Sequence, residues 1–263
     1  MTRRIPRSGW VWLAIGAAYF FIPLAATAEF SLEEGSGYGF SSYRQILDDP
    51  QFRDLLWTSF KLALGTIVVS LIIFIPTVYW VHLRLPRLRP LVEFLSVLPF
   101  VVPPIVLVVG LLYVYSVNWV PGWFVESTRF LVPGYVVLSF PFMFRALDVS
   151  YRSIDVHTLT EAAQSLGAGW GRTLLKVILP NIAAGALSGS FLTFALVMGE
   201  FTMAHIALFN TFPTYIAYIG QTQANPAAAL TIISFGLTWL ALLGILFVGR
   251  RPGRGAVSVG GAR

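Results

Sequence analysis

The sequence predicts an all-α integral membrane protein of six transmembrane helices, with a cytoplasmic helix between helices four and five. Three observations carry this. Hydrophobic residues fill 56% of the chain and charged residues only 11%, with mean hydropathy +0.74, whereas soluble domains carry about 25% charged residues. Apolar runs recur that are long enough to cross a hydrocarbon core of about 30 Å, which takes about 20 helical residues. Basic residues gather at alternate ends of those runs, as the bias toward positive cytoplasmic loops requires. The runs are continuously apolar and lack two-residue alternation, so they read as helices and not as barrel strands.

The runs lie near residues 9–28, 57–81, 91–117, 130–147, 182–203 and 227–248. Arg3, Arg4 and Arg7 precede the first, and Ala26-Thr27-Ala28 closes it in the manner of a signal peptide. The run exceeds the roughly 7 to 15 apolar residues of such a peptide, so it is expected to stay as the first span. Removing it would leave five spans and an external amino terminus. Residues 29–52 combine acidic side chains with Gly35, Gly37 and Gly39 and a short Tyr43-Arg44-Gln45-Ile46-Leu47 stretch, and read as an external loop. In the third run Pro99, Pro103 and Pro104 each lack an amide hydrogen and displace the preceding turn. Carbonyls freed there need protein or a wet cavity, which suggests a kinked helix lining a pathway. The alternative is a kink that serves packing alone.

Glu200 stands well inside the fifth run, where an ionisable group costs roughly 2.5 kcal/mol or more unless it faces a polar interior. It is a candidate for the pathway or its gate, or else a structural partner of an arginine or a helix amide. Between Met203 and Pro226 the chain is too polar and broken for a seventh span, with turn signals at Thr211-Phe212-Pro213 and Ala224-Asn225-Pro226. An external gate or re-entrant loop fits it. His205 has no second histidine or carboxylate at a ligand spacing, so no metal site is expected.

Charge orients the bundle. Arg3, Arg4, Arg7, Arg84, Arg87, Arg89, Arg145, Arg152, Arg172, Lys176, Arg250, Arg251, Arg254 and Arg263 fall on one side if the spans number six. Arg44, Arg53, Lys61 and Arg129 share the other with most of the acidic residues. Both termini and the segment 148–180 are therefore expected in the cytoplasm. The net charge of +6 is a topogenic bias and implies no nucleic-acid partner. Cysteine is absent, which excludes a disulfide framework.

Within 148–180, Val156, Leu159, Ala163 and Leu166 succeed one another at helical spacing and predict an apolar stripe that wants a partner surface. Asp155 is placed to cap the helix, and Gly167 with Gly169 to end it. Ala162 and Ala163 permit close approach, while Glu161 points away from the stripe. Glu161, Ala162, Ala163, Gly167, Leu179 and Pro180 also keep the order and spacing of a longer pattern, Glu-Ala-Ala, three residues, Gly, nine residues, Ile, one residue, Leu-Pro, with Val177 at the Ile position. This resembles the coupling loop of permease subunits of type I ATP-binding-cassette importers. The proline-rich third run, Gly199-Glu200-Phe201 and the overall size are most similar to the spermidine/putrescine branch.

That resemblance implies a permease subunit in which Glu161, Ala162, Ala163, Leu166, Gly167, Leu179 and Pro180 couple to ATPase subunits. Pro99, Pro103, Pro104 and Glu200 would belong to the pathway or gate. It implies two ATPase subunits that bind the ATP and Mg, a second permease subunit that is usually a different chain, and a periplasmic or extracellular substrate-binding protein. This chain would bind no cofactor itself. The implied solute is a polyamine; phosphonate, iron, thiamine, sulfate and sugar importers share the scaffold. A self-contained secondary transporter is the alternative from another class, but it predicts paired ionisable residues at depth and an inverted repeat. Catalysis is not expected, since the sequence has no Gly-x-x-x-x-Gly-Lys-Ser/Thr loop, Gly-x-Ser-x-Gly elbow or His-Glu-x-x-His pair.

Overall fold

A computed structural model describes residues 7–35, 37–116 and 120–249. Arg3, Arg4, Arg250, Arg251, Arg254, Arg263 and Val117, which bear on the predicted charge bias and span limits, lie outside them. The described chain is helical apart from one small hairpin, β1 (Glu33–Glu34) and β2 (Gly37–Tyr38). Its helices are α1 (Arg7–Leu32), α2 (Ser41–Asp48), α3 (Pro50–Leu83), α4 (Arg89–Val101), α5 (Pro104–Ser116), α6 (Gly122–Val125) and α7 (Leu131–Arg152). Further along come α8 (Val156–Ser165), α9 (Trp170–Thr173), α10 (Leu179–Asn181), α11 (Ala183–Gly199), α12 (Thr202–Ile206), α13 (Phe212–Thr222) and α14 (Ala224–Gly249).

Four helical segments are long and apolar enough to span a membrane, and six spans result if each of two bent helix pairs counts as one. The first bend falls in the run whose prolines suggested a kinked helix, and the second falls at the start of the fifth run. Residues Pro86–Val101 and Pro104–Ser116 meet at 100°, and Trp170–Asn181 meets Ala183–Gly199 at 78°. The first break arises from Pro103 and Pro104: neither donates an amide hydrogen, and Val102 before them takes the extended conformation that a succeeding proline favours. Pro99 sits inside α4 without ending it.

The chain divides into two compact units, Met1–Leu56 with Phe212–Leu237 and Trp57–Thr211 with Thr238–Arg263. In the first, the segment expected to form a gate or re-entrant loop supplies the amphipathic α13. Phe212 meets Phe52 edge to face at 5.9 Å, and the Tyr215 hydroxyl donates to Asp49. Asn225 donates its side-chain amide to the carbonyls of Phe30 and Glu33, each at 3.0 Å. Trp12, Tyr19 and Ile22 of α1 remain exposed, which suits a helix facing lipid or another subunit.

In the second unit, one apolar cluster gathers Tyr79, Met143, Leu147, Tyr151, Val156 and Ile178. Another gathers Phe130, Leu131, Tyr135, Phe194 and Met203. The rings of Phe74 and Phe140 stack at 4.8 Å. Helices α7 and α11 approach closely because Gly185 and Gly189, four residues apart, present no side chain there. A Cβ at Gly185 would lie 2.5 Å from the Ala146 carbonyl oxygen, and one at Gly189 would lie 2.6 Å from Met143 Sδ. Small residues at this spacing are a common means of helix association in lipid, where close packing replaces the hydrophobic driving force.

Candidate functional site

Helix α8 is built much as its sequence directs. The Asp155 carboxylate accepts from the Thr158 amide at 3.1 Å and from the Thr158 hydroxyl at 2.7 Å, so a donor left orphaned at the helix start is satisfied. Those bonds, the hydroxyl first and then the amide, hold the Asp155 carboxyl below its ordinary range. A carboxyl depressed in the folded state caps fully above its unfolded value of about 4 and loses that contribution as pH falls through the folded value. At neutral pH the cap is therefore complete. Replacing Asp155 with alanine is expected to speed amide hydrogen exchange across Val156–Thr160, whereas asparagine, which keeps an acceptor oxygen, largely preserves protection.

At the other end Gly167 adopts φ +79°, the left-handed conformation expected of it. Its amide donates to Gln164 and the Ala168 amide donates to Ala163, at 2.9 and 3.0 Å, which together form a Schellman cap. Gly169 takes no part in this cap; it has φ −70° and precedes α9.

The apolar stripe differs from expectation in what it meets. Val156 and Ala163 are buried, Leu159 partly so, and they pack on the chain's own bundle. Thr160 is buried with them and shares a 3.1 Å hydrogen bond with the Tyr79 hydroxyl of α3. Leu166 leaves the stripe altogether and is 89% exposed, because the helix ends before it and the Gly167 turn carries it outward. The free face of α8 is thus the opposite one, with His157, Glu161, Ala162 and Ser165 exposed beside Leu166. Five residues after α9, Leu174–Ile178, form a wide π turn before Leu179 and Pro180. A wider turn draws aside the carbonyl that the Pro180 ring would otherwise strike. Leu179 is half-buried and Pro180 exposed.

A charged cluster at the base of α8 went unanticipated. Asp148 of α7 is only 4% exposed. It accepts from His82 at 2.8 Å, Arg152 at 2.6 Å and Arg89 at 3.3 Å. Glu93 adds contacts of 2.9 Å to Arg152 and 3.2 Å to Arg89. The cluster joins α3, α4 and α7 where they enter the segment carrying α8. Only the Asp148–Arg152 and Arg89–Glu93 pairs, each four residues apart on one helix, are legible in the sequence.

Glu200 ends α11 and caps the short α12. Its carboxylate accepts from the Met203 amide at 2.9 and 3.1 Å, and from the Tyr135 hydroxyl and the Thr202 and Ala204 amides. These partners match the structural alternative raised for it.

An open cavity of about 540 Å³ lies against α4, α7 and α11. Its polar residues are Arg145, Ser96, Ser150 and Ser188, set among apolar residues such as Phe100 and Leu192; the Ser96 and Ser188 hydroxyls donate to the Glu93 and Ala184 carbonyls of their own helices. Pro141 lines it, whereas Pro99, Pro103, Pro104 and Glu200 do not. Arg145 is exposed and forms no ion pair among the described residues. It lies two turns into α7 from Arg152, so the sequence alone places it on the flank of the cytoplasmic loop.

The family described as "Binding-protein-dependent transport system inner membrane component" matches residues 83–251. The molybdenum transport system permease protein ModB of Escherichia coli K12 is 30% identical over 75% of this chain and 93% of its own. The spermidine/putrescine transport system permease protein PotB of Haemophilus influenzae is 27% identical over 61% of this chain and 60% of its own. Among solved structures, a bacterial alginate ABC transporter in complex with an alginate pentasaccharide-bound periplasmic protein aligns with a TM-score of 0.67 at 16% identity, covering 93% of each chain.

Proposed function

Because the chain belongs to the family of inner-membrane components of binding-protein-dependent transport systems, we propose that it helps to form the path by which an ATP-driven importer takes up a small oxyanion of the molybdate class. The chain is a permease subunit of a type I ABC importer, a multi-pass inner-membrane protein that is itself non-catalytic. Its solute is the finer matter. The observation that carries the oxyanion reading is Arg145, an unpaired cation among three hydroxyls in the α4–α7–α11 cavity. A guanidinium donates to an anion, and in an apolar span a free cation is costly unless it serves a pathway. The ModB relatives agree with this chemistry. Polyamine, the solute of the sequence resemblance, has the PotB relative on its side, but among the described residues no carboxylate lines this cavity to receive an ammonium group.

In the proposed cycle both termini and α8 face the cytoplasm, where two ATPase subunits bind ATP and Mg. The exposed face of α8, with Glu161, Ala162, Leu166 and the Gly167 turn, seats in those subunits. A second permease completes the path, and a periplasmic binding protein delivers the solute on the opposite face. Closure of the ATPases on nucleotide moves α8, and the Asp148 cluster passes that movement to α3, α4 and α7 together.

The test is uptake by the assembled importer with its binding protein in proteoliposomes. Molybdate should be taken up and putrescine should not. Replacing Arg145 with glutamine should lower molybdate uptake about tenfold or more, the scale of losing a hydrogen bond to a charged group. Putrescine uptake by the unaltered importer, or full molybdate uptake by the variant, would remove the oxyanion reading.

A further inference from the structure

A second recess lies on a different part of the second unit, and its chemistry is that of a lipid. It has a volume of about 1200 Å³ and runs between α3 and α7. Lys61 and Arg129 stand at one end of it, with Trp123 beside them. Thr58, Ser127 and Thr128 line it too, and Gly65, Val69 and Ile73 of α3 with Val132, Val136 and Val137 of α7 form an apolar stretch.

Depth sorts these residues. From Lys61 to Leu83, where α3 ends near the Asp148 cluster, the helical rise covers about 33 Å, a full hydrocarbon core. Lys61 therefore lies at the membrane boundary opposite α8, and Arg129, just before α7, lies at the same boundary. Trp57 and Trp123 belong to that level too, as interfacial tryptophans do. From Lys61 down to Ile73 is about 18 Å, close to the depth of one leaflet.

Both cations are exposed, and neither forms an ion pair among the described residues. Lys61 rests its ammonium 5.7 Å from the Trp57 ring, which leaves its charge unneutralised. The floor stays open because Gly65 has no side chain; a Cβ there would still be 4.0 Å from Val132 Cγ2.

We propose that this recess binds an anionic phospholipid of the leaflet opposite α8, its headgroup held by Lys61 and Arg129 and one acyl chain lying between α3 and α7. Charge complementarity selects the headgroup, and the leaflet-deep apolar slot selects the chain. A soluble anion would gain nothing from the slot. An apolar helix of another subunit would fill the slot and leave the two cations at the boundary without an anionic partner.

The assembled importer, placed in lipid nanodiscs with a diazirine-tailed phosphatidylglycerol, provides the test. Labelling is expected on the peptides that carry Gly65–Ile73 and Val132–Val137, and a phosphatidylcholine probe with the same tail should label them weakly. Joint replacement of Lys61 and Arg129 by glutamine should lower phosphatidylglycerol labelling at least about fivefold, through loss of two basic contacts to one headgroup. Gly65→Leu, which fills the slot and keeps the charges, should lower labelling by both probes. Equal labelling by the two probes, labelling that survives the double replacement, or no labelling of these peptides because another subunit covers them would each overturn the proposal.

Discussion

Replacing Gly185 with leucine is expected to destroy the packing of α7 against α11 and to lower the apparent Tm of the assembled permease by about 5 to 10 °C. Overpacking a tight contact costs typically 1–3 kcal/mol, and in a chain of this size each kcal/mol moves the midpoint by about 2–4 °C. The upper part of that range applies because of which atoms collide. At Gly189 the nearest obstacle is Met143 Sδ, at the end of a flexible side chain that can turn aside. At Gly185 the added carbon meets the Ala146 carbonyl oxygen at 2.5 Å as well as the Ser150 hydroxyl, and a helix backbone cannot turn aside. The helices must separate, and the cavity that holds Arg145 between them changes shape.

Thermal unfolding in mild detergent, tracked by the monodisperse fraction on size exclusion, measures the effect. Gly110→Ala serves as the comparison, since nothing lies within 4 Å of the new carbon there. A Gly185→Leu protein as stable as that comparison would show that α7 and α11 do not meet in the assembled importer as they do in this chain.

Length, composition and charge make the helical membrane class legible, because those terms depend on solvent and need no tertiary partner. Local rules do well where they are local: Asp155 capping α8 and Gly167 ending it are decided within a few residues. They fail where a distant element takes part. Three prolines mark a break after α4, but the 100° bend depends on what α4 and α5 pack against. The stripe of α8 reads correctly as a surface to be covered, yet sequence cannot say that Tyr79, some eighty residues earlier, helps to cover it. That reversal matters, since it leaves the face of Glu161 and Ala162, and not the apolar one, exposed for the docking proposed above. Asp148 gives no signal of its own because His82 and Arg89 reach it from other helices. Arg145 reads as a loop charge because its neighbours in the cavity come from α4 and α11.

Gly167→Val is expected to separate ATP hydrolysis from uptake, leaving insertion intact and lowering transport about tenfold. The cause is torsional and not steric: a Cβ at Gly167 would meet nothing within 4 Å, so the change crowds no neighbour. A left-handed conformation costs a residue with a side chain roughly 1–2 kcal/mol, and a β-branched one more. That suffices to leave the correct turn in a minor fraction of molecules, since about 1.4 kcal/mol is tenfold in population. With the turn lost, the Ala168 amide leaves the Ala163 carbonyl and that of residue 167 leaves Gln164, the last turn of α8 frays, and Leu166 no longer projects where it does now. The stretch from Asp155 to Ala163 stays seated on Tyr79 and the bundle, so the ATPases still find a partner and still hydrolyse ATP. Asparagine, which tolerates the left-handed region, should restore much of the uptake at the same position. Uptake per ATP hydrolysed, measured for glycine, asparagine and valine at position 167 in proteoliposomes, should therefore fall in that order. Equal ratios for all three would place the mechanical link elsewhere than the turn that ends α8.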